Sequence, residues 1–105
     1  MHIYNTTFVC SERDLPELLG LLRADVIPAL LDSGLALSPR LSRVASRLPE
    51  ADETESISLQ FEFSEISALS EWKKSHLQEA LTIIENKFGN RVLTFSTLLQ
   101  VLPHA

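Results

Sequence analysis

Residues 56–63, SISLQFEF, alternate strictly between polar and apolar side chains. The apolar members are Ile57, Leu59, Phe61 and Phe63. A period of two over eight residues predicts a β-strand with one apolar face and one polar face. A strand of this kind must bury its apolar face against a second layer, so the alternation predicts a layered domain.

Two other stretches have the periodicity of amphipathic helices. The first begins at Asp14 with Pro16 in its first turn, carries leucines at helical spacing and ends at Gly34. Pro28 lies inside it and predicts a kink near residues 24–27, since proline cannot donate the helical hydrogen bond. The second helix is predicted over about residues 67–88, with Gly89 ending it.

Three further segments predict strands. Residues 3–10, IYNTTFVC, and 92–102, VLTFSTLLQVL, are rich in β-branched and aromatic residues. Residues 35–46, LALSPRLSRVAS, give a weaker strand signal, and Pro39 confines that strand to a sheet edge. The order predicts an α+β, ferredoxin-like βαββαβ domain spanning residues 1–105. Its four-stranded antiparallel sheet carries two helices on one face.

The charge and composition exclude several classes of protein. A formal net charge of −5 argues against a nucleic-acid binder, which needs an excess of Lys and Arg. No segment resembles a signal peptide or reaches the ~18 apolar residues of a membrane span, so we expect a cytoplasmic protein that binds no membrane. The single cysteine, Cys10, is expected to be a buried structural thiol, and no metal-ligand spacing is present. The acidic segment 49–55 is predicted to be a mobile loop.

The two faces of the sheet predict a homodimer. Helices cover only one face, yet Ile3 and Val9 are apolar on one side of the first strand and Tyr4 and Phe8 on the other. A second copy packed against the other face would bury these groups. The alternative is a monomer with a partly apolar exposed face.

Five separated segments together resemble one known family. They are IYNTTF, SGLALSPRLSRV, SLQFEF, EWKKSH and FGNRVLTFSTLL, and they resemble the small bacterial family catalogued as domain of unknown function 4286. The resemblance implies the fold of the dimeric α+β barrels, in which two ferredoxin-like sheets close on each other. The family has no agreed activity that could be carried over.

The broader superfamily includes cofactor-independent monooxygenases, isomerase-like enzymes and haem-degrading enzymes. The haem degraders are similar in having an Asn on the first strand and a Trp on the second helix, which Asn5 and Trp72 match. At the position that their essential His would occupy, this chain has Leu81 and Thr82. We therefore predict no cofactor.

Asn5, Trp72 and His76 are the candidate pocket residues. Trp72 and His76 are four residues apart and therefore share a helix face, where they could form an aromatic wall beside a titratable imidazole. The structural alternative is a core Trp with a His at its edge. Asn5 could hold a substrate carbonyl, or equally bond the neighbouring backbone at a strand irregularity.

Gln60, Glu62 and Arg40 form the candidate interface set. Gln60 and Glu62 are predicted to project from the polar face of the third strand. In a dimer this face would be the interface, where a carboxylate needs a cationic partner. Arg40, Arg43 and Arg91 are the available cations, and this role is structural rather than catalytic.

These observations leave two functions from different classes, with catalytic residues unknown. The first is a non-catalytic module that binds a small molecule or a protein. The second is a cofactor-independent monooxygenase or isomerase with a pocket between the helices and the sheet. An RNA-binding sheet shares the βαββαβ order, but it requires exposed aromatic residues and basic flanks that the third strand lacks.

Overall fold

The computed structural model describes residues 1–45 and 54–104 of the chain. These residues fold in the order strand, helix, strand, strand, helix, strand. Each of the two helical segments consists of two α-helices joined by a π-helical turn. A short 3₁₀ turn, Gly89–Arg91, leads into the last strand. The strands are β1 (His2–Ser11), β2 (Leu37–Arg43), β3 (Thr54–Phe63) and β4 (Leu93–Gln100). The helical parts are α1 (Leu15–Leu21), Leu22–Val26, α2 (Ile27–Leu31), α3 (Ile66–Trp72), Lys73–Leu77 and α4 (Gln78–Phe88).

The four strands form one sheet in the order β2-β3-β1-β4, and every neighbouring pair is antiparallel. This confirms the predicted ferredoxin-like α+β fold. β2 and β4 are the two edges. Pro39 therefore lies on an edge strand, where its missing N–H removes no bond from the interior of the sheet.

The core lies between the helices and one face of the sheet. The alternating residues of β3 predicted to be apolar are all buried there, and β1 contributes Tyr4 and Phe8. Trp72 is at the centre with 0% of its surface exposed, and its ring lies 4.9 Å from that of Phe63 and 5.6 Å from those of Tyr4 and Phe61. Rings at these separations gain edge-to-face attraction in addition to apolar burial.

Both helical segments contain a π-helical turn. In the first, Leu22–Val26 is π-helical immediately before α2, whose first turn holds Pro28. The helix is therefore π-helical just upstream of Pro28, in the region where a kink was predicted. In the second, Lys73–Leu77 is π-helical, and the Ser75 hydroxyl donates to the Glu71 carbonyl at 2.8 Å. A hydroxyl that bonds one turn back competes with the backbone and perturbs the helix.

Gly89 ends the second helical segment, as predicted, whereas the first ends at Leu31, three residues before the predicted Gly34. Gly34 has a φ of 75° and Gly89 a φ of 57°, values that a residue with a Cβ adopts only with strain. Within the described residues, no helix combines the length and the apolar content needed to cross a bilayer.

The sheet surface opposite the helices is called the open face here. The strand registers show which residues belong to the open face, because residues directly paired across an antiparallel ladder point to the same side of the sheet. Its members are Ile3, Asn5, Thr7 and Val9 of β1, Ser56, Ser58, Gln60 and Glu62 of β3, Leu93, Phe95, Thr97 and Leu99 of β4, and Leu37, Arg40 and Ser42 of β2.

The segment predicted to be a mobile acidic loop needs one correction. Thr54 and Glu55 belong to β3, and Glu55 is buried with 1% exposure. Its carboxylate accepts bonds from Arg43 Nε at 2.9 Å and from Nη2 at 2.5 Å. A paired arginine makes this burial tolerable, since an isolated carboxylate is strongly disfavoured in a core. The rest of that predicted loop, residues 49–53, lies outside the described residues.

Candidate functional site

The structure separates the three residues predicted to share a pocket. Asn5 lies on the open face, whereas Trp72 and His76 lie on the second helical segment, which packs on the other side of the sheet. Each of the three is held by local bonds. Trp72 Nε1 donates to the carbonyl of Leu30 at 2.9 Å, and its ring is entirely enclosed by the core. Trp72 therefore occupies the space in which a pocket was predicted.

His76 lies at the edge of the π-helical turn and is partly exposed. Its Nδ1 is 2.6 Å from the Ser75 hydroxyl oxygen, and that hydroxyl donates in turn to the Glu71 carbonyl. The Ser75 proton is thus engaged by the backbone. This chain of bonds fixes the imidazole on the helix surface.

Asn5 belongs to a polar cluster in the middle of the open face. Its Oδ1 accepts a bond from the Ser58 hydroxyl of β3, and its Nδ2 donates to Thr7 Oγ1 at 3.2 Å. The neighbouring side chains in the same row are Gln60 and Thr97. Asn5 thus bonds the side chains of its neighbours within the sheet, rather than backbone groups at a strand irregularity as predicted.

The candidate interface set, Gln60, Glu62 and Arg40, lies together on the open face. Arg40 is directly opposite Gln60, and Glu62 is opposite Leu37. The other two arginines considered as partners of Glu62 are used elsewhere. Arg43 binds Glu55, and Arg91 Nη1 lies 2.7 Å from Asp14 Oδ1.

Apolar side chains dominate the β4 side of the open face. Phe95 is 58% exposed and Leu93 52%, and Leu99 lies beside them. Ile3 and Val9 of β1 are directly opposite Leu99 and Leu93, which puts one apolar pair near each end of the two strands, with the Asn5–Thr97 and Thr7–Phe95 pairs between them. Several large apolar side chains exposed on one strand are typical of an interaction surface.

A groove of about 430 Å³ lies on the helix side of the sheet, between α4 and the start of β4. Its walls are Leu81, Ile84 and Val92 together with Gln78, Glu85, Asn90 and Thr94, and Gly89 and the start of β4 at Leu93 complete the lining. This volume is within the range of small-ligand sites, and an apolar wall with a few polar groups is their usual composition. The helices leave this strip uncovered, since every residue of β4 is exposed.

Sequence reasoning missed this groove. Gln78, Leu81 and Glu85 recur at helical spacing and so share one face of α4. That spacing is visible in the sequence, but it does not show whether this face of α4 packs on the core or lines a groove. The missing information was the position of α4 across the sheet, which depends on tertiary packing.

Cys10 is buried, as predicted for a structural thiol. Burial raises the pKa of the thiol, and the carboxylates of Asp14 and Glu55 raise that pKa further. The thiol therefore stays protonated at neutral pH and is a poor nucleophile. Among residues 1–45 and 54–104, no three His, Cys, Asp or Glu side chains are grouped closely enough to hold a metal ion.

Comparisons with known proteins agree with the fold and with the resemblance. The family model described as Domain of unknown function (DUF4286) matches residues 1–102. No curated protein matches the chain.

Three solved structures are similar over nearly their whole lengths. One is a Deinococcus radiodurans protein whose name provisionally assigns it as an antibiotic biosynthesis monooxygenase, with a TM-score of 0.72, 15% identity and coverage of 100% of this chain and 96% of that one. A second is an EthD family protein from Bacillus halodurans, with a TM-score of 0.71, 8% identity and coverage of 97% and 100%. A third is a dimeric ferredoxin-like protein from an uncultured marine organism, with a TM-score of 0.55, 18% identity and coverage of 100% and 98%. At these identities the likeness establishes the fold.

Proposed function

We propose that this chain, which belongs to the DUF4286 family, is a non-catalytic binding module that works as a homodimer. The groove between α4 and β4 is the observation that carries the binding function. The exposed apolar side chains of β4 support the homodimer, and the similar marine protein is described as dimeric. Gln60, Glu62 and Arg40 then lie within the interface, where Arg40 is the cation available to Glu62.

The lining of the groove indicates the chemistry of its ligand. Leu81, Ile84 and Val92 offer an apolar wall, and Glu85 is the charged group of the lining. The side chains of Gln78 and Thr94 add hydrogen-bonding groups. A small molecule with an apolar body and a cationic or donor end is complementary to this set. We therefore propose a small amphipathic amine as the ligand class.

Titration with phenethylamine, followed by amide NMR shifts, tests the groove. We expect saturable shifts confined to residues of the groove, with a dissociation constant in the millimolar range for so small a probe. Leu81→Trp fills the groove and should weaken binding at least tenfold. Thr82→Trp is the matched control, because Thr82 is the adjacent exposed position on α4 but does not line the groove. Shifts scattered over the surface, or equal binding by both variants, would contradict the site.

The alternative is a cofactor-independent monooxygenase or isomerase, a class to which the name of the Deinococcus radiodurans structure points. It was based on a pocket shared by Asn5, Trp72 and His76. Since Asn5 lies on the opposite face of the sheet from Trp72, these residues do not converge on one substrate position. The geometry therefore favours the binding function.

A further inference from the structure

The helices leave one strip of the sheet uncovered on their own side. It consists of four side chains of β4, Thr94, Ser96, Leu98 and Gln100, and is called the β4 strip here. They point to the helix side, because Leu98 is paired with the buried Tyr4 and alternate residues of a strand share a face. All four are exposed. The groove, which includes Thr94, is therefore one end of a longer cleft beside the second helical segment.

Lys73 borders the β4 strip at a distance from the groove. Its Nζ is 5.5 Å from the centre of the Tyr4 ring, and Tyr4 is directly opposite Leu98. The neighbouring Trp72 faces the first helical segment, where it bonds the Leu30 carbonyl, so the exposed Lys73 reaches Tyr4 from the β4 side. An ammonium is attracted to an aromatic face, and this attraction holds the charge beside the sheet instead of in open solvent.

The cleft thus has opposite charges at two positions along its length. Glu85 lines the groove at the Thr94 end, and Lys73 lies near Leu98. Neither makes an ion pair with another residue of 1–45 or 54–104. Four residues of a strand, from Thr94 to Leu98, cover about 14 Å. Both charges are therefore available to a ligand whose cationic and anionic ends are about 14 Å apart.

We propose that this cleft binds a short extended peptide, with its terminal amine at Glu85 and its terminal carboxylate at Lys73. The inference rests on the proposed function, because the amine end of the peptide occupies the groove. Four extended residues span about 14 Å, which matches the separation of the two charges. The hydroxyl groups of Thr94 and Ser96 can bond the amides of a peptide, whereas an alkyl chain would cover them without replacing their bonds to water. A tetrapeptide with apolar side chains is therefore the ligand class.

Titration with the tetrapeptide Phe-Ala-Ala-Leu, followed by amide NMR shifts, tests the cleft. We expect its shifts to extend from the groove through Ser96 and Leu98 to Lys73, whereas those of phenethylamine stay in the groove. The same peptide with an amidated C-terminus should bind about threefold more weakly, since exposed ion pairs are modest in strength. The dipeptide Phe-Leu carries both charges but is too short to reach both partners, so it should bind no more tightly than the amidated tetrapeptide.

Lys73→Gln should weaken binding of the free tetrapeptide about threefold and leave binding of the amidated form unchanged. Lys74→Gln is the matched control, because it removes an exposed charge at the next position of the same turn. It should leave both affinities unchanged. Equal binding of the free and amidated peptides by wild type, or equal effects of the two substitutions, would overturn the peptide while phenethylamine still shifts the groove. If neither phenethylamine nor the tetrapeptide shifts the groove, the proposed function itself is overturned.

Discussion

Replacing Phe95 by aspartate is expected to raise the dissociation constant of the dimer about 10³-fold, equivalent to about 4 kcal/mol. Phe95 is at the centre of the apolar part of the open face and is 58% exposed in one chain. In a symmetric dimer each copy contributes one new carboxylate to the interface. A buried carboxylate without a partner is strongly disfavoured. Light scattering after size exclusion, over a dilution series, measures the change.

Gln100→Asp is the control for this substitution. Gln100 is also exposed on β4, but it lies on the helix side of the sheet. The strand register shows this, because Gln100 and the buried Phe63 are both paired with His2 and therefore point to the same side. It should leave the dimer intact. Far-UV circular dichroism of Phe95→Asp should match wild type, since Phe95 contributes little to the core of a single chain. If Phe95→Asp and Gln100→Asp have equal effects on the mass, the open face is not the interface.

Replacing Trp72 by alanine is expected to lower the free energy of unfolding by about 3–5 kcal/mol. The substitution removes a fully buried ring that contacts Tyr4, Phe61 and Phe63. It also removes the donor to the Leu30 carbonyl, a bond worth about 1 kcal/mol. Small domains are stable by about 5–15 kcal/mol, so the variant is expected to be near its folding limit. Urea denaturation followed by circular dichroism measures the loss.

Trp72→Phe separates packing from hydrogen bonding. It keeps an aromatic ring in the cluster but cannot donate to Leu30, so a smaller loss of about 1–3 kcal/mol is expected. A loss below about 1 kcal/mol for Trp72→Ala would mean that the ring is not closely packed. In that event the space around Trp72 would be available to a ligand, as the pocket hypothesis required.

Local patterns were sufficient to predict the elements and their order. The alternation of residues 56–63 predicted β3, because burial on one side repeats with the pleat. Pro39 placed β2 at an edge, and the kink predicted from Pro28 falls where the helix is π-helical before α2. Each of these inferences depends on a constraint that acts within a few residues.

The contents of the candidate site were less predictable, because they depend on which elements meet. Alternation along β1 already placed Asn5 on the side of Ile3 and Val9, away from Tyr4 and Phe8. It did not show which side the helices cover, and so Asn5 was grouped with Trp72. Glu55 was assigned to an acidic loop, since its partner Arg43 is twelve residues away on another strand. The groove depends on how far α4 extends across the sheet.

The solution mass of the wild-type chain tests the central claim most directly. One chain has a mass of 11.8 kDa, so size exclusion with light scattering at micromolar concentration should give twice that value. This result would mean that the apolar side chains of the open face are buried between two copies. A mass of 11.8 kDa at that concentration would contradict the homodimer.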